Sequence, residues 1–175
     1  MEETLCSVFA DRVRELGERP ALHARDGSGW RAISWNQYRD QVKAVALGLR
    51  ALGFSRGDFA VIMARNRPEH LFADLGVVHA GGTPVSLYTT LSAEQVAYLI
   101  AHTEARVAFV EDPVFYGKLR AVRAQLPKLE KIVLMTGWDG EAVGADPRVS
   151  FCDTVLQKPF RRRDLEGVLS TLFPN

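Results

Sequence analysis

From Phe59 onward the sequence alternates short apolar runs with longer stretches of helical spacing. That alternation restricts the possible folds more than any other feature of the chain. The runs lie at 59–64, 84–88, 107–110, 132–136 and 154–157. The segments 67–80, 92–103, 114–126 and 163–172 separate them, with apolar residues recurring every three or four positions. The runs are too short for stable helices and read as strands. Consecutive strands joined through helices pair in parallel, with right-handed crossovers, and build an open sheet covered on both faces.

The first 53 residues follow a different pattern. Leu5, Val8, Phe9, Val13 and Leu16 predict a helix, with Thr4 as its N-cap and Gly17 as its stop. Residues 21–24 and 30–34 flank Asp26-Gly27-Ser28-Gly29, which reads as a β-hairpin. A second helix starts at Ser34 or Asn36 and ends before Gly53, with Tyr38, Val42, Val45, Leu49 and Leu52 on its apolar face. The expected fold is therefore α/β: a doubly wound, flavodoxin-like, five-stranded parallel sheet of order 2-1-3-4-5. An N-terminal helix and β-hairpin are appended to it. Ligands are expected at the carboxyl ends of the strands. At 175 residues the chain has room for one sizeable core, so 1–175 reads as a single domain.

Composition excludes several function classes. A net charge of +1 gives no reason to expect binding to nucleic acid or to an acidic membrane surface. No apolar run approaches the ~20 residues of a membrane span. Cys6 and Cys152 form no disulfide or metal-ligating pattern. The start, Met-Glu-Glu-Thr-Leu, does not read as a leader, and a cytoplasmic protein is expected. His23, His70, His79 and His102 have no metal-ligand spacing, so no metal site is expected. Tyr88, Tyr98, Phe115 and Tyr116 are expected in packing, Gly81-Gly82 at a helix end, and 161–163 as a solvated arginine run.

Several stretches resemble the N-terminal part of AMP-forming acyl-CoA synthetases, the long-chain fatty acid branch above all. They are Gly53-Phe54-Ser55-Arg56-Gly57-Asp58, Val61-Ile62-Met63 and Asn66-Arg67-Pro68-Glu69. The resemblance continues through Gly81-Gly82-Thr83-Pro84-Val85-Ser86-Leu87-Tyr88-Thr89-Thr90-Leu91-Ser92 and Glu94-Gln95-Val96-Ala97-Tyr98-Leu99-Ile100, and spans about 4–131. It implies a parent reaction in which a fatty acid and ATP form an acyl-adenylate, whose acyl group passes to coenzyme A. Such chemistry needs a glycine- and hydroxyl-rich loop around the phosphates, an acidic residue for Mg²⁺ and a lysine at the transition state. In that family these groups follow the segment matched here. The 175 residues contain no Ser/Thr-Gly-Thr-Thr-Gly loop, and Thr89-Thr90 lacks flanking glycines. No catalytic residue is therefore carried over, and the cofactor-binding residues are undefined. ATP, Mg²⁺ and CoA, which the parent family uses, are not expected on this chain alone.

The end of the chain resembles another family. Val155-Leu156-Gln157-Lys158-Pro159-Phe160, followed by an amphipathic segment, is similar to the last strand and helix of a response-regulator receiver domain. Val133-Leu134-Met135-Thr136-Gly137 is similar to its fourth strand. The resemblance implies receiver-like remnants at Asp112 (near the phosphoacceptor position), Thr136, Lys158 and Pro159. The strand at 59–64 runs into Ala64-Arg65-Asn66, where a receiver needs an acidic pair for Mg²⁺, so efficient phosphorylation is not expected. The chain thus reads as 1–131 synthetase-like joined to 132–175 receiver-like, with the junction between 128 and 155.

The expected function is that of a truncated or chimeric derivative of a fatty-acyl-CoA synthetase, inactive alone. The alternatives are a degenerate receiver-like signalling or interaction module, or a subunit that completes a partner polypeptide. Homo-oligomerisation or a partner chain is expected if the surface around 71–78 or the hairpin exposes apolar residues.

Overall fold

The computed structural model describes residues 3–135 with their side chains, and Thr136 and 154–157 as backbone. The expectations at Gly137, Lys158 and Pro159, at the arginine run 161–163 and for a helix at 163–172 lie outside the described residues. Helix α1 (Leu5–Leu16) is followed by the hairpin of β1 (Pro20–Asp26) and β2 (Gly29–Ser34), then by α2 (Trp35–Ala51). The alternating part comprises β3 (Phe59–Met63), α3 (Pro68–His79), β4 (Thr83–Ser86), α4 (Ala93–Thr103), β5 (Val107–Val110), α5 (Pro113–Val122), β6 (Lys131–Thr136) and β7 (Thr154–Gln157). A single continuous helix expected over 114–126 is instead α5 and a short 3-10 turn at Arg123–Gln125.

The five-stranded sheet has the order β4-β3-β5-β6-β7, all pairs parallel, which is the expected 2-1-3-4-5. Alternate residues along each central strand serve opposite faces. Ala60 and Ile62 join Phe109, Val133 and Met135 beneath α2 and α3. Val61 and Met63 join Ala108, Val110, Ile132 and Leu134 beneath α4 and α5. Both faces are covered, so the strands are apolar throughout rather than alternating with polar residues.

Local chemistry sets the helix ends. Thr4, Ser34 and Ser92 each accept from the backbone N–H three residues on, and that residue's side chain returns a bond to the cap. Each such cap contributes about 1 kcal/mol. Pro68 and Pro113 open α3 and α5, where a missing N–H costs nothing. The appendage is tied in through Phe9, Val13, Ile33, Tyr38, Val42, Phe72 and Leu75, a third apolar cluster shared by α1, the hairpin, α2 and α3.

Two glycines make close packing possible. A Cβ on Gly82 would lie 2.3 Å from the Phe54 ring and 2.7 Å from the Asp58 carbonyl oxygen. A Cβ on Gly76 would lie 2.4 Å from Val45 Cγ1, so α2 and α3 approach closely through that position. The surface at 71–78, considered from sequence as an exposed apolar face, is mostly interior: Phe72, Ala73, Leu75, Gly76 and Val77 are buried. Tyr88 and Tyr98, expected in packing, are exposed; Phe115 and Tyr116 are buried. Tyr98 instead stacks on His102, one turn further along α4.

Candidate functional site

In a sheet of this order the crevice between β3 and β5 is where the strand order reverses, and its carboxyl end is the expected ligand position. Met63 pairs with Val110 in the parallel register, which brings the residues that follow each strand face to face. The Glu111 N–H donates to the Met63 carbonyl oxygen at 3.1 Å and extends the ladder by one bond. The Glu111 carboxylate then accepts from the Arg65 backbone N–H at 2.6 Å, from Arg65 Nη1 at 3.1 Å and from Arg67 Nη1 at 3.0 Å. Arg67 also donates through Nε to Glu69, itself a buried residue. Burial pulls the Arg67 guanidinium down, and the bond and charge of Glu69, with those of Glu111, outweigh it and leave the group above its ordinary value. The Arg65 guanidinium lies over the Phe115 ring, 5.1 Å from its centroid.

Asp112, near the phosphoacceptor position in the receiver resemblance, has both carboxylate oxygens engaged. Oδ1 accepts from the backbone N–H groups of Val114 (2.9 Å) and Phe115 (3.0 Å), which caps α5, and Oδ2 accepts from Arg65 Nη1 at 3.0 Å. Asp112 and Thr136 each lie two residues past the paired Val110 and Leu134. The sheet thus brings them to the same edge, and Thr136 is paired in register with Gln157 of β7. Lys158 and Pro159 are beyond the described residues.

Two further bonds brace this edge. His70 bridges the Ala64 carbonyl oxygen (Nδ1, 3.3 Å) and Ser86 Oγ (Nε2, 2.9 Å), joining the start of α3 to β4. Lys118 Nζ donates to the carbonyl oxygens of Thr89 (3.0 Å) and Leu91 (2.7 Å), joining α5 to the loop after β4. Among the described residues no group of three or more His, Cys, Asp or Glu side chains is placed to hold a metal ion. The charges at the switch point satisfy one another rather than converge on an open position.

The opposite end of the sheet holds a cluster that sequence reading did not single out. Arg106 donates to both carboxylate oxygens of Glu130 (2.7 and 2.8 Å), to Asp58 Oδ2 and to the Gly53 carbonyl oxygen at 3.0 Å. These bonds clamp the segments entering β3, β5 and β6. The hydrogen bond from Arg106 holds the Glu130 carboxyl below its ordinary value, against partial burial. Burial pushes the Asp58 carboxyl up, but the Ser55 N–H and the Arg106 guanidinium together pull it below its ordinary value. A signal was present in Gly57-Asp58, but its partner Arg106 lies 48 residues away and becomes adjacent only in the folded register.

The AMP-binding enzyme family model matches residues 9–161, a span that includes every element from β1 to β7. A long-chain-fatty-acid–CoA ligase of Xenopus laevis, ACSBG2, is 35% identical over 130 residues, covering 74% of this chain and 18% of that protein. An uncharacterized protein of Mycobacterium tuberculosis is 34% identical over 134 residues, covering 77% of this chain and 73% of that protein. The A-PCP didomain of a carboxylic acid reductase from Segniliparus rugosus, solved in complex with AMP, superposes with a TM-score of 0.77. That match has 17% identity and covers 97% of this chain and 26% of the other, a likeness of fold. The chain spans about a fifth of the length of the curated ligases it matches. With a family match over most of its length and this sheet beneath it, the chain belongs to the AMP-binding enzyme family.

Proposed function

We propose that this 175-residue chain is the fold-building N-terminal portion of a fatty-acyl-CoA synthetase and does not form an acyl-adenylate on its own. One observation carries the reading. At the carboxyl end of the β3–β5 crevice, Glu111 accepts from the Arg65 backbone N–H and from both Arg65 and Arg67 guanidinium groups. A nucleotide site directs free N–H groups and cations at the phosphates; here those donors are taken by a carboxylate of the same chain. The lack of a glycine- and threonine-rich phosphate loop in the sequence supports the same reading. Similarity to long-chain ligases supports a fatty acid as the parent's substrate.

The receiver-like seam is a finer part of this proposal. The family match runs to residue 161, past β6 and β7. That supports reading Lys131–Thr136, and the rest of the 128–155 range, as synthetase-like rather than receiver-like. Pyrophosphate release from ATP, Mg²⁺ and a long-chain fatty acid is expected to stay at the no-protein level with the purified chain. Release above that control, with acyl-adenylate identified by mass, sinks the proposal.

A further inference from the structure

The bond between His70 and Ser86 joins a half-buried imidazole to an exposed serine, and its geometry defines the state of both groups. Ser86 ends β4 and pairs in register with Ile62 of β3, whose side chain lies on the face covered by α2 and α3. The Ser86 side chain is therefore delivered to the α3 side of the sheet. Just beyond it, the Leu87 N–H donates to the Ile62 carbonyl oxygen and holds the end of the strand in place. His70, in the first turn of α3, meets the serine there. Its Nδ1 lies 3.3 Å from the Ala64 carbonyl oxygen and its Nε2 2.9 Å from Ser86 Oγ. A carbonyl oxygen can only accept, so Nδ1 carries the proton of the neutral ring. Nε2 then has a free lone pair, and the Ser86 hydroxyl donates to it. Asp74, one turn further along α3, interacts with the His70 charge and would offset the positive charge of a protonated ring.

The geometry points to Ser86 as a nucleophilic serine, with His70 as its general base, that accepts the acyl group of an uncharged, activated ester. A hydroxyl within reach of a base that a third group orients is what such chemistry needs. Other described hydroxyls are held differently. Ser55 and Ser92 donate to the carboxylates of Asp58 and Glu94, and Thr103 donates to backbone carbonyl oxygens. Those acceptors are far weaker bases than an imidazole. In the step, Oγ bonds to the ester carbonyl carbon while its proton passes to Nε2. The tetrahedral centre then expels the leaving oxygen, which takes that proton from Nε2. The products are O-acyl Ser86, the free alcohol or phenol, and a neutral imidazole. The class of donor follows from the charge beside the base. The Asp74 carboxylate repels an anionic donor such as an acyl phosphate, whereas an uncharged ester meets no such barrier.

The test is incubation of the 175-residue chain with p-nitrophenyl acetate. No ATP is present, so the result neither rests on nor decides the adenylation proposal. The first acetyl group gained in the intact mass should map to Ser86 by peptide fragmentation. Acetylation there is expected to be about 10²-fold faster than at Ser55 and Ser92, the gain of general-base catalysis alone. Ser86→Ala should abolish that adduct. His70→Gln keeps an amide beside the hydroxyl but cannot take its proton, and should slow acetylation of Ser86 by about 10²-fold. A thermal melt checks its folding. A pH series on the unaltered chain supplies a second measurement that needs no variant: the Ser86 rate should rise through one titration step and then level off. The proposal is overturned if acetyl groups are found on His70 or on amines but not on Ser86, or if Ser86 reacts no faster than Ser55 and Ser92. It is equally overturned if folded His70→Gln reacts as fast as the parent chain. A rate that climbs about tenfold per pH unit without a plateau would make hydroxide the base and overturn it as well.

Discussion

Glu111 is the residue on which the carboxyl edge depends, and its neighbour Asp112 shows what that means chemically. The Glu111 side chain is only 9% exposed and balances two guanidinium groups, so the Arg65 and Arg67 side chains are drawn across the crevice from β3 to β5. Once there, Arg65 also reaches Asp112. An in-line phosphoryl transfer needs a carboxylate oxygen free to attack and a divalent cation, held by acidic residues, to neutralise the developing charge. Both oxygens of Asp112 already accept hydrogen bonds, two of them from the first turn of α5. Detaching Oδ1 would uncap that helix, at a cost of about 1 kcal/mol. Treatment with acetyl phosphate and Mg²⁺ is therefore expected to leave the intact mass unchanged. An acid-stable shift is not diagnostic, but a hydroxylamine-sensitive adduct mapping to Asp112 would revive the phosphoacceptor role.

Among the elements, α2 and α3 show where packing depends on a single missing methyl group. Gly76 lies mid-helix, where glycine costs roughly 1 kcal/mol relative to alanine. The fold keeps it because Val45 of α2 occupies the space a Cβ would need. Gly76→Ala is expected to destabilise the protein by about 1–3 kcal/mol through overpacking, despite its better helix propensity. Gly76→Ala combined with Val45→Ala should recover at least part of that loss, giving a favourable coupling of about 1 kcal/mol or more in urea denaturation. Strict additivity would show that the contact is not what limits the position. Sequence reading could not have found it, since an isolated glycine in a helical stretch carries no signal of what faces it. By contrast, the caps at Thr4, Ser34 and Ser92 were legible, because each is satisfied within three residues. The strand order was legible too, since alternation with helices permits few arrangements. What escaped were the pairings of Arg65 with Glu111 and of Arg106 with Asp58, which span 46 and 48 residues and need the β3–β5 register to exist. The exposure of Tyr88 escaped for a related reason: an aromatic after a strand reads as core until its surroundings are known.

At the scale of the whole molecule, the sheet is closed by charge at both ends, and the carboxylates of the Arg106 clamp and of Asp74 shift stability with pH in opposite directions. Asp58 and Glu130, bound by Arg106, have folded-state values below their ordinary ones. They contribute stability above the unfolded carboxylate range, and that contribution is lost as pH falls through their lowered values. Asp74 is half-buried on α3. Burial holds its carboxyl above the ordinary value, and the charge of His70 opposes the shift only in part. Its ionised form is therefore penalised in the folded state near neutrality, and the penalty lifts as pH falls through its raised value. Acidification should accordingly change the melting temperature little, or raise it slightly, until about pH 4, and lower it steeply below that. Asp74→Asn should raise the melting temperature at pH 7 and remove any rise on mild acidification. Arg106→Gln should lower it at pH 7 and shorten the steep limb below pH 4. Solvent screens the half-exposed Glu130, so the part of that limb carried by this clamp should amount to about 1 kcal/mol. Melting curves between pH 2 and 7 decide the matter. An acid limb unchanged in Arg106→Gln would mean that the clamp at the amino end of the sheet is not what low pH releases.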